Sequence, residues 1–307
     1  MTLMHFGVSG GKDSTASLAW GVHESGYDPK MIIASFCDTG NEAPETYEYI
    51  EWLSKNLHPI TTIKPDLGFY PLVQKKKRFP SAVARFCTEE LKMKPTRAFV
   101  QAFLQAGFPC LMHSGVRAAE SEDRSKLGDR EFSTYFGCDV YRPLLRWTLA
   151  DVWAIHEKYG IPRNPLYAMG CKRVGCLPCI MSRKAEIANV ARQWPERIDF
   201  IETQETSTRG GDAFSSMFAA DKVPHRYKTK EVLRLAKKLS DAETDPAQEG
   251  MEFDDKRLGE RPEKRMMVAT IRDVVRWADN EGALHTEEFD FFEDATPGCD
   301  TRYGACE

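Results

Sequence analysis

The sequence predicts an α/β fold, because apolar runs of strand length alternate with segments that have helical spacing. The first run covers residues 3–8, ends in a glycine turn and leads into apolar positions at helical spacing in 16–22. A second run at 31–36 precedes an amphipathic segment at 45–57, and a third, shorter run follows at 60–63. Strands that alternate with helices indicate βαβ units. We therefore expect a mostly parallel sheet covered by helices.

The composition is that of an ordinary globular chain. Of its 307 residues, 42% are hydrophobic and 29% are charged, which is enough to build a sizeable core. The longest apolar runs are far too short to cross a bilayer, and residues 1–5 lack the features of a signal peptide. We therefore expect a cytoplasmic protein that has no membrane partner.

The net charge of −4 is unevenly distributed along the chain. Residues 64–97 contain nine Lys or Arg against three Asp or Glu, whereas residues 241–307 contain 8 against 19. The basic block suits an anionic substrate, either a nucleotide or a nucleic-acid backbone. The basic run 75–78 within it fits a solvated loop equally well.

A glycine-rich hexapeptide, Ser-Gly-Gly-Lys-Asp-Ser, joins the first predicted strand to the first predicted helix. A turn at a helix N-terminus offers unpaired backbone N–H groups and the positive end of the helix dipole, which suit phosphate. Gly10 and Gly11 carry no Cβ, so the backbone can approach an anion closely. Lys12 adds a mobile charge, and Ser9 and Ser14 add hydroxyl donors. The spacing is not that of a Walker A loop, and the alternative is an ordinary strand-to-helix turn.

This hexapeptide resembles the PP-loop of the ATP pyrophosphatases. The resemblance implies a doubly wound, mostly parallel sheet similar to the adenine nucleotide α-hydrolase fold. It also implies an enzyme that binds ATP with Mg²⁺, cleaves ATP between the α- and β-phosphates and adenylylates an acceptor. Lys12 and Asp13 would then be catalytic, and the backbone amides of residues 9–14 would stabilise charge that develops on the leaving pyrophosphate.

A polar tetrapeptide, Cys-Asp-Thr-Gly, follows the second apolar run. Ligands of doubly wound sheets lie beyond the carboxyl ends of the strands, so we expect Asp38 to lie near the nucleotide. Its carboxylate suits ribose, a purine amino group or a magnesium-bound water. The alternative is a turn residue that caps the next helix.

Residues 85–95, Arg-Phe-Cys-Thr-Glu-Glu-Leu-Lys-Met-Lys-Pro, resemble a segment of the phosphoadenylyl-sulfate reductase branch of this superfamily. The resemblance implies that Arg85 and Lys92 contact phosphate or sulfate. Cys87 in the same segment is open between a buried structural thiol and a reactive one.

A further segment, Gly-Val-Arg-Ala-Ala-Glu-Ser, begins at Gly115 and is followed by Arg124. It resembles a second signature of the superfamily, which implies that Gly115, Arg117 and Arg124 lie at the nucleotide and that Arg117 is catalytic. Arginine suits phosphate because its planar fork can bind two oxygens at once. Glu120 suits either the orientation of an arginine or the binding of magnesium. The alternative is a surface helix with salt bridges.

Nine cysteines in a chain of this kind favour metal or catalytic use over a disulfide framework. Cys176 and Cys179 form a Cys-x-x-Cys half-site, and Cys299 and Cys306 supply a second pair. Four thiolates fit either Zn²⁺ or a [4Fe–4S] cluster. The resemblance to reductase-like enzymes that carry an iron–sulfur site favours the cluster, with Cys171 as a reserve ligand.

These resemblances predict a PP-loop nucleotide-binding domain at 1–168 and a helical, cysteine-bearing region at 169–307. The strongest likeness is to phosphoadenylyl-sulfate reductase-like enzymes, such as the DNA phosphorothioation sulfurtransferases. It implies an ATP-dependent sulfurtransferase whose partners are an anionic acceptor (DNA, tRNA or a nucleotide) and a sulfur donor such as a cysteine desulfurase. The alternatives are a reductase or sulfate adenylyltransferase, and a nucleotide-binding sensor or partner subunit without catalysis.

Overall fold

The computed structural model describes most of the chain, namely residues 1–208, 216–218, 223, 227 and 269–281. Two of the predicted metal ligands, Cys299 and Cys306, lie outside these residues.

The described chain divides into two compact units. The first contains Met1–Leu72 and Val83–Cys179, and the second contains Val73–Ala82 and the described residues from Ile180 onward. Cys176 and Cys179 therefore belong to the unit that carries the glycine-rich loop. The domain boundary expected after residue 168 stays a prediction.

The first unit is built on a six-stranded sheet. Its strands are β1 (Leu3–Gly7), β2 (Ile32–Cys37), β3 (Ile60–Ile63), β4 (Cys110–His113), β5 (Arg130–Ser133) and β6 (Cys138–Tyr141). Their order in the sheet is β3-β2-β1-β4-β6-β5. Every neighbouring pair is parallel except β5 with β6, which is antiparallel. The mostly parallel α/β fold predicted from the sequence is confirmed, and the antiparallel edge strand is an addition to it.

Helices connect the strands and build the second unit. They are α1 (Lys12–His23), α2 (Pro44–Asn56), α3 (Phe69–Lys76), α4 (Phe86–Thr88), α5 (Lys94–Gln105), α6 (Glu122–Ser125), α7 (Leu149–Lys158), α8 (Pro165–Ala168), α9 (Lys184–Gln193), α10 (Pro195–Ser207) and α11 (Ile271–Glu281). A π-helical turn, Glu89–Met93, joins α4 to α5. Within the described ranges, none of these helices has both the length and the apolarity to cross a membrane.

Alternate strand residues pack on opposite faces of the sheet, and helices cover both faces. On one face Phe6 packs in a buried cluster with Leu18 of α1. On the other face Met112 packs with Val100 of α5. The approach of α1 to β1 requires a glycine, because a Cβ at Gly21 would lie 2.2 Å from the ring of Phe6. This two-sided packing leaves the carboxyl ends of the parallel strands as the open edge, where α/β sheets bind ligands.

The second unit is organised around a buried carboxylate. Glu205 of α10 accepts hydrogen bonds at 2.9 Å from the backbone N–H groups of Met217 and Ile271. Arg272 of α11 also donates to Glu202 of α10 at 3.0 Å. These contacts fix α11 against α10, since a buried carboxylate without such donors would be strongly destabilising.

Candidate nucleotide-binding site

The glycine-rich loop lies between β1 and α1, and its own hydroxyl groups close it. The N–H of Ser9 donates to Ser14 Oγ at 3.1 Å, and the N–H of Gly11 donates to Ser9 Oγ at 3.2 Å. Gly10 has φ +80°, a left-handed conformation that strains residues with a Cβ. A Cβ there would also lie 3.1 Å from the methyl group of Thr46. The loop is therefore a tight turn, closed by its own hydrogen bonds, at the N-terminus of a 12-residue helix.

Three side chains from the α7–α8 region hold the loop from outside. Tyr167 Oη accepts from the backbone N–H of Lys12 at 2.9 Å. His156 Nε2 donates to the carbonyl of Lys12 at 2.9 Å, and Asn164 Nδ2 donates to the carbonyl of Gly10 at 3.2 Å. Burial lowers the pKa of His156. The sequence assigned no role to these three residues, because they act on the loop only through the fold.

The charged groups of the loop meet at Asp13. Its carboxylate is 1% exposed and lies 2.5 Å from Arg117 Nε and 2.6 Å from Lys12 Nζ. Two cations thus share one buried anion, which leaves a net positive charge beside the helix N-terminus. A site with this charge attracts anions.

The second signature folds directly onto the loop. A Cβ at Gly115 would lie 2.9 Å from the carbonyl oxygen of Asp13, so only glycine permits this approach. Glu120 accepts from the backbone N–H of Arg117 at 3.0 Å and pairs with the buried guanidinium of Arg124. The structure therefore brings these residues together with the PP-loop-like turn, and it shows Glu120 orienting the two arginines.

A cavity of about 100 Å³ opens beneath the loop, on the α5 side of the sheet. Its lining includes Ser9, Ser14 and Gly115, together with Lys92 from the π-helical turn. The lining also includes the apolar side chains Phe36, Met93, Met112 and Phe136. Pockets of this mixed character suit small organic ligands with few polar groups.

Two buried polar atoms in the wall of this cavity have no hydrogen-bond partner among the described residues. They are His5 Nδ1 and Ser114 Oγ, on residues that are 1% and 4% exposed. The other ring nitrogen, His5 Nε2, lies 2.8 Å from Ser35 Oγ. Burial lowers the pKa of His5 to about 4, so the ring is neutral at pH 7.

Lys92 and Glu42 put opposite charges into the same cavity. Burial lowers the pKa of Lys92, but its interactions with the neighbouring acidic groups Cys176 and Glu42 raise it more, so the pKa lies above its ordinary value. Glu42 is itself buried and accepts from Thr39 Oγ1 at 2.6 Å and from the N–H of Thr39 at 3.1 Å. The sequence interpretation missed Glu42, although it lies only five residues beyond the end of β2.

Asp38 directly follows β2, and Arg85 immediately precedes α4. The Asp38 carboxylate accepts from the N–H of Gly40 at 3.0 Å and from Tyr47 Oη at 2.7 Å, and it lies 3.9 Å from Lys64 Nζ. Nucleotide contacts by both residues stay predictions.

The Cys-x-x-Cys half-site packs beside the residues that follow β2. The N–H of Leu177 donates to the carbonyl of Asn41 at 2.7 Å, and Cys176 Sγ lies 3.6 Å from Thr39 Oγ1. Burial and the neighbouring Cys179 raise the pKa of Cys87, so a third thiol lies near the half-site. Within residues 1–208 and 269–281, no three Cys, His, Asp or Glu side chains converge on one metal position.

A comparison with protein-family models decides the family. The phosphoadenosine phosphosulfate reductase domain matches residues 4–182, a range that contains the loop, the second signature and the Cys-x-x-Cys half-site. The chain belongs to this reductase-domain family. The family match covers more than half of the chain, and it ends close to the last residue of the first compact unit.

The relatives carry different names. An uncharacterized 37.8 kDa protein of Escherichia phage 186 is 33% identical over 67% of this chain and 77% of its own length. The adenosine 5'-phosphosulfate reductase of Burkholderia cepacia is 38% identical over 28% of this chain and 35% of its own length. That of Anoxybacillus flavithermus is 29% identical over 47% of this chain and 60% of its own length. The matches thus span less than two thirds of either reductase.

Similarity to solved structures is found at lower sequence identity. The phosphoadenylyl-sulfate reductase of Candida auris, solved as a phosphate complex, is 18% identical and covers 57% of this chain and 82% of its own, with a TM-score of 0.43. The FMN adenylyltransferase of Candida glabrata is 19% identical and covers 57% of this chain and 53% of its own, with a TM-score of 0.39.

Proposed function

We propose that this member of the reductase-domain family binds ATP, cleaves it to AMP and pyrophosphate, and so activates an acceptor for sulfur transfer. The observation that carries the proposal is the group of charges at the loop. Lys12 and Arg117 both lie within 2.6 Å of the Asp13 carboxylate, at the N-terminus of α1. Positive charge and helix amides in one place suit the β- and γ-phosphates of ATP.

The chemistry assigned to the site is displacement at the α-phosphorus. An acceptor oxygen forms a bond to that phosphorus, the bond to the bridging oxygen of the β-phosphate breaks, and pyrophosphate leaves with the electron pair. The cations Lys12 and Arg117 stabilise the charge that accumulates on the leaving group. The terminal sulfur of a persulfide, from a donor such as a cysteine desulfurase, then bonds to the acceptor atom, and AMP leaves with the former acceptor oxygen. A thiol reduces the resulting disulfide and so releases the sulfur-bearing acceptor from the donor. DNA, tRNA and a nucleotide are the proposed acceptors.

Mg²⁺ would enter with ATP and share the charge of its phosphates. Such ions are held by one or two carboxylates and by substrate phosphates, without a protein cage of their own. Among the described residues, the carboxylate of Glu120 lies beside Arg117 at the loop and would share such an ion with the phosphates of ATP.

We further propose that Cys176, Cys179, Cys299 and Cys306 hold a [4Fe–4S] cluster, with Zn²⁺ as the alternative and Cys171 as a reserve ligand. Among the described residues only the first pair of this set can be placed, which is a half-site and not a complete ligand set. No reaction step is therefore assigned to the cluster. Iron, sulfide and zinc analysis after anaerobic purification tests the site, with Cys306→Ser as the informative variant and Cys110→Ser as the control.

The second candidate function is reduction of adenosine 5'-phosphosulfate, and it is favoured by the similarity to several proteins that are named adenosine 5'-phosphosulfate reductases. Both candidates are tested in one experiment on the full chain. The protein is incubated with ATP, Mg²⁺, nucleic acid and a persulfide donor, and separately with adenosine 5'-phosphosulfate and a dithiol. Release of AMP and pyrophosphate from ATP supports the proposal. Sulfite release without ATP cleavage supports the reductase instead.

A further inference from the structure

Three of the backbone N–H groups that the loop would offer to a phosphate already have hydroxyl partners. The N–H of Ser9 donates to Ser14 Oγ, and that of Gly11 donates to Ser9 Oγ. The N–H of Lys12 donates to Tyr167 Oη at 2.9 Å. In each case a neutral hydroxyl oxygen stands where an anionic oxygen would be the stronger acceptor.

The third partner differs from the first two. Ser9 and Ser14 belong to the loop, and their hydroxyls can turn away by rotation about χ1. Tyr167 lies 155 residues further along the chain, and its hydroxyl is fixed to a rigid ring. That ring packs edge-on against Trp153 at 5.5 Å between ring centroids, and Arg163 stacks over Trp153 at 4.2 Å. The hydroxyl of Tyr167 can leave the loop only when the ring moves.

We infer that Tyr167 is a positioning residue whose hydroxyl substitutes for a phosphate oxygen on the Lys12 amide until the nucleotide binds. One N–H makes one strong hydrogen bond, so phosphate and Tyr167 Oη compete for it. The phenol keeps the amide of the empty loop oriented, and it lowers the affinity for phosphate by the free energy of its own hydrogen bond. This inference rests on the proposed function, because it assigns a role at the same phosphate site.

If Tyr167 Oη competes with phosphate for the Lys12 N–H, removal of the hydroxyl should strengthen phosphate binding. This outcome distinguishes competition from a purely structural role of Tyr167. Tyr167→Phe keeps the ring and its contact with Trp153, and it leaves the Lys12 N–H to water, which phosphate displaces easily. A net hydrogen bond of ordinary strength corresponds to a change of about two- to tenfold in affinity. If Tyr167 only supported the fold, its loss would leave binding unchanged or weaken it.

The test is calorimetric titration of pyrophosphate and of ATP into the full chain, using wild type, Tyr167→Phe and Tyr159→Phe. Tyr159 is the matched control, because its hydroxyl donates a hydrogen bond to Glu24 at 3.0 Å and Glu24 lies outside the glycine-rich loop. We expect Tyr167→Phe to bind pyrophosphate about two- to tenfold more tightly, and the control to match wild type. Equal or weaker binding by Tyr167→Phe overturns the inference and leaves the proposed function standing.

A second measurement uses wild-type protein and therefore tests the inference even if Tyr167→Phe does not fold. Wild-type protein is labelled with ¹⁵N-lysine, and the Lys12 amide signal is assigned from Lys12→Arg and followed during pyrophosphate titration. The inference expects this signal to shift as the acceptor changes from phenol to phosphate. A Lys12 amide that does not respond while pyrophosphate binds overturns the inference. No binding of pyrophosphate or ATP by wild type overturns the proposed function and the inference together.

Discussion

Arg117 Nε lies 2.5 Å from Asp13 Oδ1, and both side chains are buried. The two residues are 104 positions apart and belong to different signature segments. Their pairing joins the second signature to the glycine-rich loop. It also means that the positive charge available to a ligand depends on how one buried carboxylate is shared between Arg117 and Lys12.

This shared carboxylate predicts unequal effects of its two cations on stability. Arg117→Ala leaves Asp13 buried with one partner, and we expect a loss of about 3 kcal/mol in the free energy of unfolding. Lys12→Ala removes a more exposed partner, 18% exposed, and should reduce it by only about 1 kcal/mol. Urea unfolding of the two variants measures both values. Equal losses would show that Asp13 depends on Arg117 no more than on Lys12.

Gly115 provides a test of the close approach between the two signatures. In Gly115→Ala, the new Cβ would lie 2.9 Å from the carbonyl oxygen and 3.0 Å from the carbonyl carbon of Asp13. Backbone atoms cannot move aside cheaply, so we expect a loss of stability of about 2 kcal/mol and pyrophosphate binding weakened by about tenfold or more.

The matched control for this variant is Gly128→Ala. Its Cβ would meet only the carbonyl oxygen of Arg130, at an ordinary contact distance of 3.7 Å. We expect its free energy of unfolding to stay within about 0.5 kcal/mol of wild type. Wild-type binding of pyrophosphate by Gly115→Ala would mean that the second signature does not shape the loop.

Several features of this site follow from the sequence, and others depend on the fold. The loop and the cap of α7 are local: Thr148 Oγ1 accepts from the N–H of Asp151 at 3.2 Å, as a Thr-x-x-Asp sequence predicts. The contact of Tyr167 with Lys12 spans 155 residues, and no spacing rule reaches that far. Glu42 could not be singled out either, because in the sequence it is one loop carboxylate among many and only the fold shows that it is buried.

The sheet shows the same division between local and long-range information. Strands β1 and β2 were predicted from apolar runs of strand length, and β3 was predicted from a shorter run whose residues are half-buried or exposed. β5 was not predicted, because two of its four residues, Arg130 and Glu131, are charged and it lies at the sheet edge. Arg130 pairs across to Asp139 of β6 at 2.6 Å, and this cross-strand contact has no signature in the sequence of either strand.

Burial of His5 predicts a pH dependence of stability. The pKa of His5 is about 4 in the folded protein, because burial penalises the charged ring, and about 6.5 when unfolded. Between these values the unfolded state binds more protons, so stability is lost as the pH falls from about 6.5 to 4. The expected contribution of His5 is about 3 kcal/mol.

Chemical unfolding at pH 7 and at pH 4 measures this contribution. His5→Gln removes the titrating ring, so its loss of stability between the two pH values should be smaller than that of wild type by about 3 kcal/mol. His23→Gln, at an exposed position on α1, serves as the control and should follow wild type. An identical pH dependence in His5→Gln and wild type would mean that His5 is not the buried titrating group.

The central claim is that the loop holds ATP for cleavage between its α- and β-phosphates. The direct measurement is the amount of AMP and pyrophosphate formed per chain from ATP, Mg²⁺ and acceptor, in wild type, Lys12→Ala and Lys55→Ala. Lys55 is an exposed control that pairs with Glu51 on α2. We predict turnover in wild type and in Lys55→Ala, and a loss of at least about 100-fold in Lys12→Ala. Turnover by Lys12→Ala at the wild-type rate, or ADP as the product of the wild-type protein, would contradict the account.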